Sequence, residues 1–180
     1  MFGIETRYLS FFFGLVSILS FFNVIYSYYL NLYLNLDTYY LSFFCSLVIS
    51  ILFYNLKFEQ KRLTIFNKIF TIFVGYIFIP LVLSIPFYFS IYNLTLLNSF
   101  FEAISGFTST GFTIFDNVKH IDQSLILWRS STQWIGGLYF LFSIIFLIDI
   151  YDENFKKTLT NFISFDSSEI FKQAIKIFLL

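Results

Sequence analysis

A polar stretch, "SGFTSTGFT" at residues 105–113, lies between two long apolar regions of this chain. It offers hydroxyl and backbone carbonyl oxygens, which are neutral ligands for a cation rather than groups for covalent chemistry. The sequence contains no nucleotide-binding loop, no nucleophile elbow and no pair of catalytic carboxylates. We therefore expect ion binding here and no enzymatic activity. The alternative is a helix end followed by a surface turn.

Composition places the chain in a membrane. Hydrophobic residues make up 58% of the sequence and charged residues 12%, whereas a soluble domain is about a quarter charged. The mean hydropathy is +0.77. The basic residues are scattered, so we expect lipid rather than nucleic acid around the chain. The single cysteine, Cys45, excludes an internal disulfide and a thiolate metal cluster.

Four apolar segments approach the roughly 20 residues that a helix needs to cross a bilayer. They run from about Tyr8 to Leu34, Tyr39 to Leu56, Ile69 to Ile91 and Leu125 to Ile148. The first is too long for a signal peptide and no small-residue cleavage site follows it, so we interpret it as a permanent anchor. Pro80 and Pro86 predict kinks in the third segment. The predicted fold class is an all-α membrane protein.

Basic residues predict the orientation of these segments. The loop "KFEQKRLTIFNK" at 57–68 and the loop "YDENFKKT" at 151–158 are the basic ones, and basic loops remain in the cytoplasm. The N-terminus is then cytoplasmic as well. The turn "NLDT" at 35–38 and the stretch from about 92 to 124 lie on the outer side.

Within that outer stretch, the pattern from Leu96 to Phe107 predicts a short helix. Asn98 or Ser99 is the expected N-cap, and Gly106 lies near the expected end. Such a helix is too short to span a bilayer but suits a re-entrant half-helix. The polar backbone that follows needs protein or a water-filled path around it, and the helix would direct its negative end toward a cation.

Two motifs, "FFEAISGFTSTGFT" at 100–113 and "LWRSSTQWIGG" at 127–137, occur in this order. Together they resemble the first pore repeat of the Trk/Ktr/HKT superfamily of potassium transporters. The resemblance implies two leading transmembrane helices in residues 1–60. It implies a pore repeat of outer helix, pore helix, filter and inner helix in residues 61–158, and a cytoplasmic segment leading to a second repeat in residues 159–180.

The resemblance also implies a selectivity filter at Thr108, Ser109, Thr110, Gly111 and Phe112. Potassium would be held by the backbone carbonyls of Ser109, Thr110 and Gly111, which replace the ion's hydration shell. Gly111 would permit backbone dihedral angles that a side chain penalises.

Four further residues are expected to support the filter. Glu102 and Arg129 both lie in apolar surroundings, where a charge usually needs a partner. We predict that they pair, either directly or through a backbone carbonyl; the alternative is that each reaches interfacial water separately. Gly136 and Gly137 permit close approach between helices.

A closed filter of this type needs four such units, and the sequence contains one. A truncated protein, a transporter split over two polypeptides and an assembly of four copies all remain open, and the first two fit the two leading helices better. By resemblance we expect potassium uptake across the bacterial inner membrane, a cytoplasmic nucleotide-binding regulatory subunit and a homodimer of complete pores, with no cofactor on this chain. The alternative is a non-conducting membrane fragment with a structural or interaction role.

Overall fold

The computed structural model describes residues 4–56 and 65–151, and within these ranges the regular secondary structure is helical. The helices are α1 (Thr6–Tyr29), α2 (Leu36–Asn55), α3 (Ile65–Leu83), α4 (Ile85–Tyr88), α5 (Leu96–Phe107) and α6 (Gln123–Tyr151), with a 3₁₀ turn at Val118–His120. Four spans, formed by α1, α2, α3 with α4, and α6, are long and apolar enough to cross a membrane. The prediction of an all-α membrane protein is confirmed.

Serine side chains join the leading helices α1 and α2 into a hairpin. The hydroxyls of Ser10 and Ser50 each donate to the other residue's carbonyl at 2.8 Å. Further along, the Ser20 hydroxyl donates to that of Ser42 at 3.1 Å, and both residues are fully buried. Small polar residues let helix backbones approach closely and bond across the contact, which stabilises a helix pair in a membrane.

The turn after α1 begins earlier than the apolar pattern predicts. The first segment was expected to reach Leu34, but α1 ends at Tyr29. Asn31 takes a left-handed conformation at φ 56°, which reverses the chain, and the amide of Leu32 donates to the Ser27 carbonyl at 2.8 Å. Asn tolerates this conformation better than most residues. The chain can therefore turn at this one polar residue, although the residues around it are mostly apolar.

The third predicted segment is interrupted near its C-terminal end. Pro80 lies inside α3, and Pro86 lies at the start of α4. Proline has no amide hydrogen to continue the helical ladder. The segment is accordingly divided between α3, which ends at Leu83, and α4, which begins at Ile85.

Tyr139 of α6 lies at the centre of the core. The centroid of its ring lies 4.7 Å from the ring centroid of Phe12, 5.0 Å from that of Tyr76 and 5.3 Å from that of Phe107. Its hydroxyl donates to the Ile72 carbonyl at 2.9 Å. A Cβ atom at Gly75 would overlap this hydroxyl. The core therefore joins α1, α3, α5 and α6 around one aromatic residue.

The chain divides into two compact units, residues 1–141 and 142–180. The first unit contains α1 to α5 and most of α6, including every candidate site residue named above. The second is described only for the end of α6. The predicted cytoplasmic segment 159–180 and most of the basic loop 57–68 lie outside the described residues.

Candidate ion-binding site

The half-helix α5 has the bounds that the sequence predicts, Leu96 to Phe107, but a different cap. Thr95 is the N-cap, and its hydroxyl accepts from the Asn98 amide at 3.3 Å. The prediction of Asn98 or Ser99 as the cap was wrong, because Thr95 is the last residue with extended backbone, at φ −66° and ψ 157°. With 12 residues, α5 is about 18 Å long, well short of a bilayer core of about 30 Å.

The end of α5 turns the chain through Ser109. The amides of Thr108 and Thr110 donate to the carbonyls of Ile104 and Ser105 at 2.8 and 3.0 Å. Ser109 itself has φ 56°. The left-handed residue that reverses the chain is therefore Ser109, whereas Gly106 remains inside the helix.

The polar loop from Thr108 to Phe112 is exposed, and its first three carbonyls are unengaged. Among the residues that the structure describes, none donates a hydrogen bond to the carbonyl of Thr108, Ser109 or Thr110. Gly111 has φ 78°, and a Cβ atom there would meet no atom within 4 Å. Glycine is thus favoured by its backbone conformation rather than by crowding within this chain.

The next two carbonyls of the loop are bound by side chains. Arg129 Nη2 donates to the carbonyl of Gly111 and to that of Phe112, both at 3.2 Å. The Ser105 hydroxyl also donates to the Phe112 carbonyl, at 2.7 Å. The loop therefore has a first part whose carbonyls are unengaged and a second part whose carbonyls are held by α5 and α6.

Glu102 lies behind the loop with its side chain fully buried. Its Oε1 accepts from the Thr113 hydroxyl and from the Ile114 amide, both at 2.6 Å. Its Oε2 lies 3.2 Å from Arg129 Nε. The direct pairing predicted for Glu102 and Arg129 is present, and Arg129 reaches backbone carbonyls as well. Glu102 Oε2 and Arg129 Nε make no hydrogen bond among the described residues, so their contact is an ion pair only. The hydrogen bonds of Glu102 Oε1 and of Arg129 Nη2 offset part of the cost of removing these charges from water.

The two glycines of the "WIGG" motif have different surroundings. A Cβ atom at Gly136 would overlap the Phe107 carbonyl, whereas one at Gly137 would meet no atom within 4 Å. On α5, Gly106 also lies close to α6, because a Cβ atom at Gly106 would overlap the Thr132 hydroxyl. Within the described residues, close approach to α5 requires Gly136 but not Gly137.

Sequence reasoning missed the role of Ser105. Its carbonyl accepts from the Thr110 amide at 3.0 Å and from the Thr110 hydroxyl at 3.1 Å, while its own hydroxyl holds Phe112. A serine in the last turn of a helix is a signal for such contacts, since serine bonds readily to nearby backbone. Ser105 thus holds Thr110 and Phe112 of the loop against the end of α5.

The cation ligands that this site offers are neutral. Among the residues described, no three His, Cys, Asp or Glu side chains converge. The backbone carbonyls of the loop that accept no hydrogen bond lie at the negative end of α5. The nearby Glu102 carboxylate has no hydrogen-bond partner at Oε2 among the described residues and faces Arg129 instead. Such a set of ligands suits a weakly held monovalent cation better than a divalent metal, which prefers carboxylates.

Comparison with known proteins gives partial matches. No family model and no solved structure matches the chain. An uncharacterized cation transporter of Methanocaldococcus jannaschii is 40% identical over 55 residues, which is 31% of this chain and 12% of that protein. The Trk system potassium uptake protein TrkI of Halomonas elongata is 40% identical over 60 residues, which is 33% of this chain and 11% of the length of TrkI.

TrkH of Escherichia coli is 38% identical over 56 residues, covering 31% of this chain and 12% of its own length. About a third of this chain is Trk-like. The resemblance inferred from the two motifs is thus confirmed for a Trk-like segment. Because that segment spans only about an eighth of each relative, the cation transport or potassium uptake for which these relatives are named is a proposal for this protein.

Proposed function

We propose that this protein contributes one pore unit to a Trk-type pathway for potassium or another monovalent cation. Residues 61–158 would form the pore unit and residues 1–60 the leading helix pair. The supporting observation is the loop from Thr108 to Phe112, whose first three carbonyls are unengaged while its last two are held by Arg129. A ring of carbonyls can replace the hydration shell of a cation without any covalent step.

The electrostatics of the site favour a cation despite the nearby arginine. The C-terminal end of α5 carries a partial negative charge of about half an electron, directed at the start of the loop. The positive charge of Arg129 is compensated by the buried carboxylate of Glu102 at 3.2 Å. Because the ion pair is neutral as a unit, it can hold the loop without strongly repelling a cation.

The same contacts suggest how the filter residues divide their roles. We assign ion coordination first to the carbonyls of Ser109 and Thr110, with Thr108 beside them. Gly111 and Phe112 form the anchored part of the loop, since their carbonyls accept from Arg129. A carbonyl has two lone pairs, so Gly111 retains one for an ion, as the resemblance implies.

One loop cannot enclose an ion, so the proposal requires further pore units. These would come from additional polypeptide or from other copies, in the bacterial inner membrane with the N-terminus cytoplasmic. A nucleotide-binding regulatory subunit and a homodimer of complete pores belong to the same proposal by resemblance. The transported ion would move down its electrochemical gradient.

Potassium uptake in a transport-deficient bacterium tests the function. The protein, expressed with its neighbouring reading frames, should restore growth on low potassium. Gly111→Ala should reduce uptake about tenfold, since a side chain at φ 78° costs roughly 1–2 kcal/mol. The matched control is Gly14→Ala, whose Cβ atom meets only the Ser50 hydroxyl at 3.4 Å, and it should transport normally. If the unaltered protein restores no uptake, the non-conducting membrane fragment is the correct interpretation.

A further inference from the structure

Asn35 connects three separate parts of the chain at the outer end of the helices. It lies in the turn between α1 and α2, and it is 1% exposed. Its Nδ2 donates to Asp122 Oδ2 at 3.1 Å, and its Oδ1 accepts from the Ile91 amide at 3.1 Å. One side chain therefore bonds the leading hairpin to the segment before α5 and to the start of α6.

The position of Asn35 makes this use of its side chain unusual. Asn35 is the N-cap of α2, where an asparagine ordinarily accepts from its own helix. Its side chain makes no such bond. Instead, the Thr38 hydroxyl and amide both donate to the Asn35 carbonyl, at 2.6 and 3.1 Å. Both polar atoms of the amide are thus directed to distant partners.

Asp122 is the partner that determines where α6 begins. Its carbonyl accepts from the amides of Leu125 and Ile126 at 2.9 and 3.0 Å, and its own amide donates to the Tyr92 hydroxyl at 2.8 Å. Since the first turn of α6 bonds to Asp122, a shift of this residue moves the start of the helix.

Ser124 extends the same contact to both leading helices. Its hydroxyl donates to Asp122 Oδ2 and lies 2.9 Å from the Tyr39 hydroxyl of α2. Its carbonyl accepts from Asn23 Nδ2 of α1 at 3.3 Å. Asn23, Tyr39 and Ser124 are all buried. We call Asn23, Asn35, Tyr39, Asp122 and Ser124 the outer brace.

Two members of the outer brace, Asp122 and Ser124, lie at the start of α6, the helix that carries the residue holding the loop. Arg129 follows Asp122 by about two turns of α6, and it donates to the carbonyls of Gly111 and Phe112. We propose that Asn35 is a positioning residue for the ion site, acting through Asp122 and α6 on Arg129. This inference rests on the proposed function, and it gives the leading hairpin a part in ion selection.

Charge exchange within the outer brace tests this inference. Asn35→Asp places a second carboxylate against Asp122, and adding Asp122→Asn restores one acid and one amide. We expect the potassium-over-sodium uptake ratio to fall about threefold to tenfold in the first variant, which lies within the range of long-distance coupling, and to recover in the second. The control is Asn31→Asp in the same turn, which is exposed and keeps a residue tolerant of φ 56°.

Asn35→Ser separates positioning from folding. Serine caps α2 locally but is too short to reach both Ile91 and Asp122. We expect a normal amount of membrane protein with the same loss of selectivity. Unchanged selectivity in both Asn35→Ser and Asn35→Asp overturns the proposal, and so does a double variant that recovers nothing.

Amide hydrogen exchange tests the outer brace without transport. In the purified protein, the amides of Leu125 and Ile126 should exchange faster in Asn35→Asp and return to the original rate with Asp122→Asn added. Equal exchange in all variants contradicts the brace. A protein that transports no potassium but shows this pattern contradicts the proposed function alone, so the two failures are distinguishable.

Discussion

Ser109 and Gly111 give the polar loop its shape, because both take left-handed backbone conformations, at φ 56° and 78°. Glycine adopts this conformation without cost, whereas serine loses roughly 1–2 kcal/mol. A chain that retains serine at such a position either uses the hydroxyl or tolerates the strain. In the described residues the Ser109 side chain makes no hydrogen bond, which favours the second explanation.

Ser109→Gly should therefore stabilise the folded protein by about 1 kcal/mol and leave potassium uptake unchanged. The proposed ligand is the backbone carbonyl, which glycine keeps. Thermal unfolding in detergent and uptake in cells measure the two effects. Loss of uptake at normal protein levels would show that the hydroxyl contributes to binding and would contradict coordination by backbone alone.

The ion pair of Glu102 and Arg129 gives a second prediction. Arg129→Gln leaves a fully buried carboxylate without its cation, which should lower the free energy of unfolding by about 3–5 kcal/mol. Adding Glu102→Gln removes the uncompensated charge while keeping an acceptor for Thr113 and Ile114, so the double variant should recover much of this loss. Denaturant unfolding of the purified protein measures each value.

Arg7→Gln is the control for this cycle, because Arg7 is exposed and its loss should change stability by only about 0.5 kcal/mol. Equal destabilisation in Arg129→Gln and in the double variant would show that the charges do not interact. The contacts of Arg129 with the loop carbonyls would then account for the whole effect.

Among the helices, the contact between α5 and α6 has the closest approach near the site. Gly136 lies against the Phe107 carbonyl, and Gly106 lies against Thr132. These glycines hold the end of α5 against α6, so the first residue of the loop leaves α5 at a defined position. Backbone contact of this kind provides rigidity that flexible side chains cannot.

Alanine substitution of the adjacent glycines Gly136 and Gly137 tests this contact. Gly136→Ala should destabilise the protein by about 1–3 kcal/mol, because its Cβ atom requires α5 to move. Gly137→Ala meets no atom within 4 Å and should be neutral or stabilising by up to about 1 kcal/mol, since alanine favours helix. Thermal unfolding compares them, and similar effects of the two substitutions would contradict the close approach.

In the part of the chain that the structure describes, exposed apolar surface and exposed polar surface need different surroundings. Large apolar side chains such as Phe22, Phe44 and Leu52 are more than half exposed on α1 and α2, as lipid-facing positions permit. The stretch from Thr108 to Gly111 is also exposed but polar, and lipid cannot satisfy its backbone. We therefore expect further protein and water around this loop in the functional assembly.

Several features could be predicted from the sequence because they depend on local pattern and on the medium. The length of the apolar segments predicted the candidate membrane spans. The residue pattern from Leu96 to Phe107 predicted a short helix, and the 12-residue helix α5 has these bounds. An isolated charge is costly in a membrane, so Glu102 and Arg129 were predicted to pair. Glu102 Oε2 lies 3.2 Å from Arg129 Nε. These inferences need no knowledge of which distant atoms meet.

Only the tertiary structure showed the contacts that depend on distant residues. Thr95 caps α5 because the extended chain ends there, and Tyr139 fills the core because Gly75 leaves room for its hydroxyl. Asn35 resembles an ordinary helix cap in the sequence, yet it bonds to Asp122, 87 residues away. The neighbouring residues in the sequence show which local hydrogen bonds a polar side chain could make. Which bond it makes in the folded protein depends on the partners that the packed helices bring within hydrogen-bonding distance.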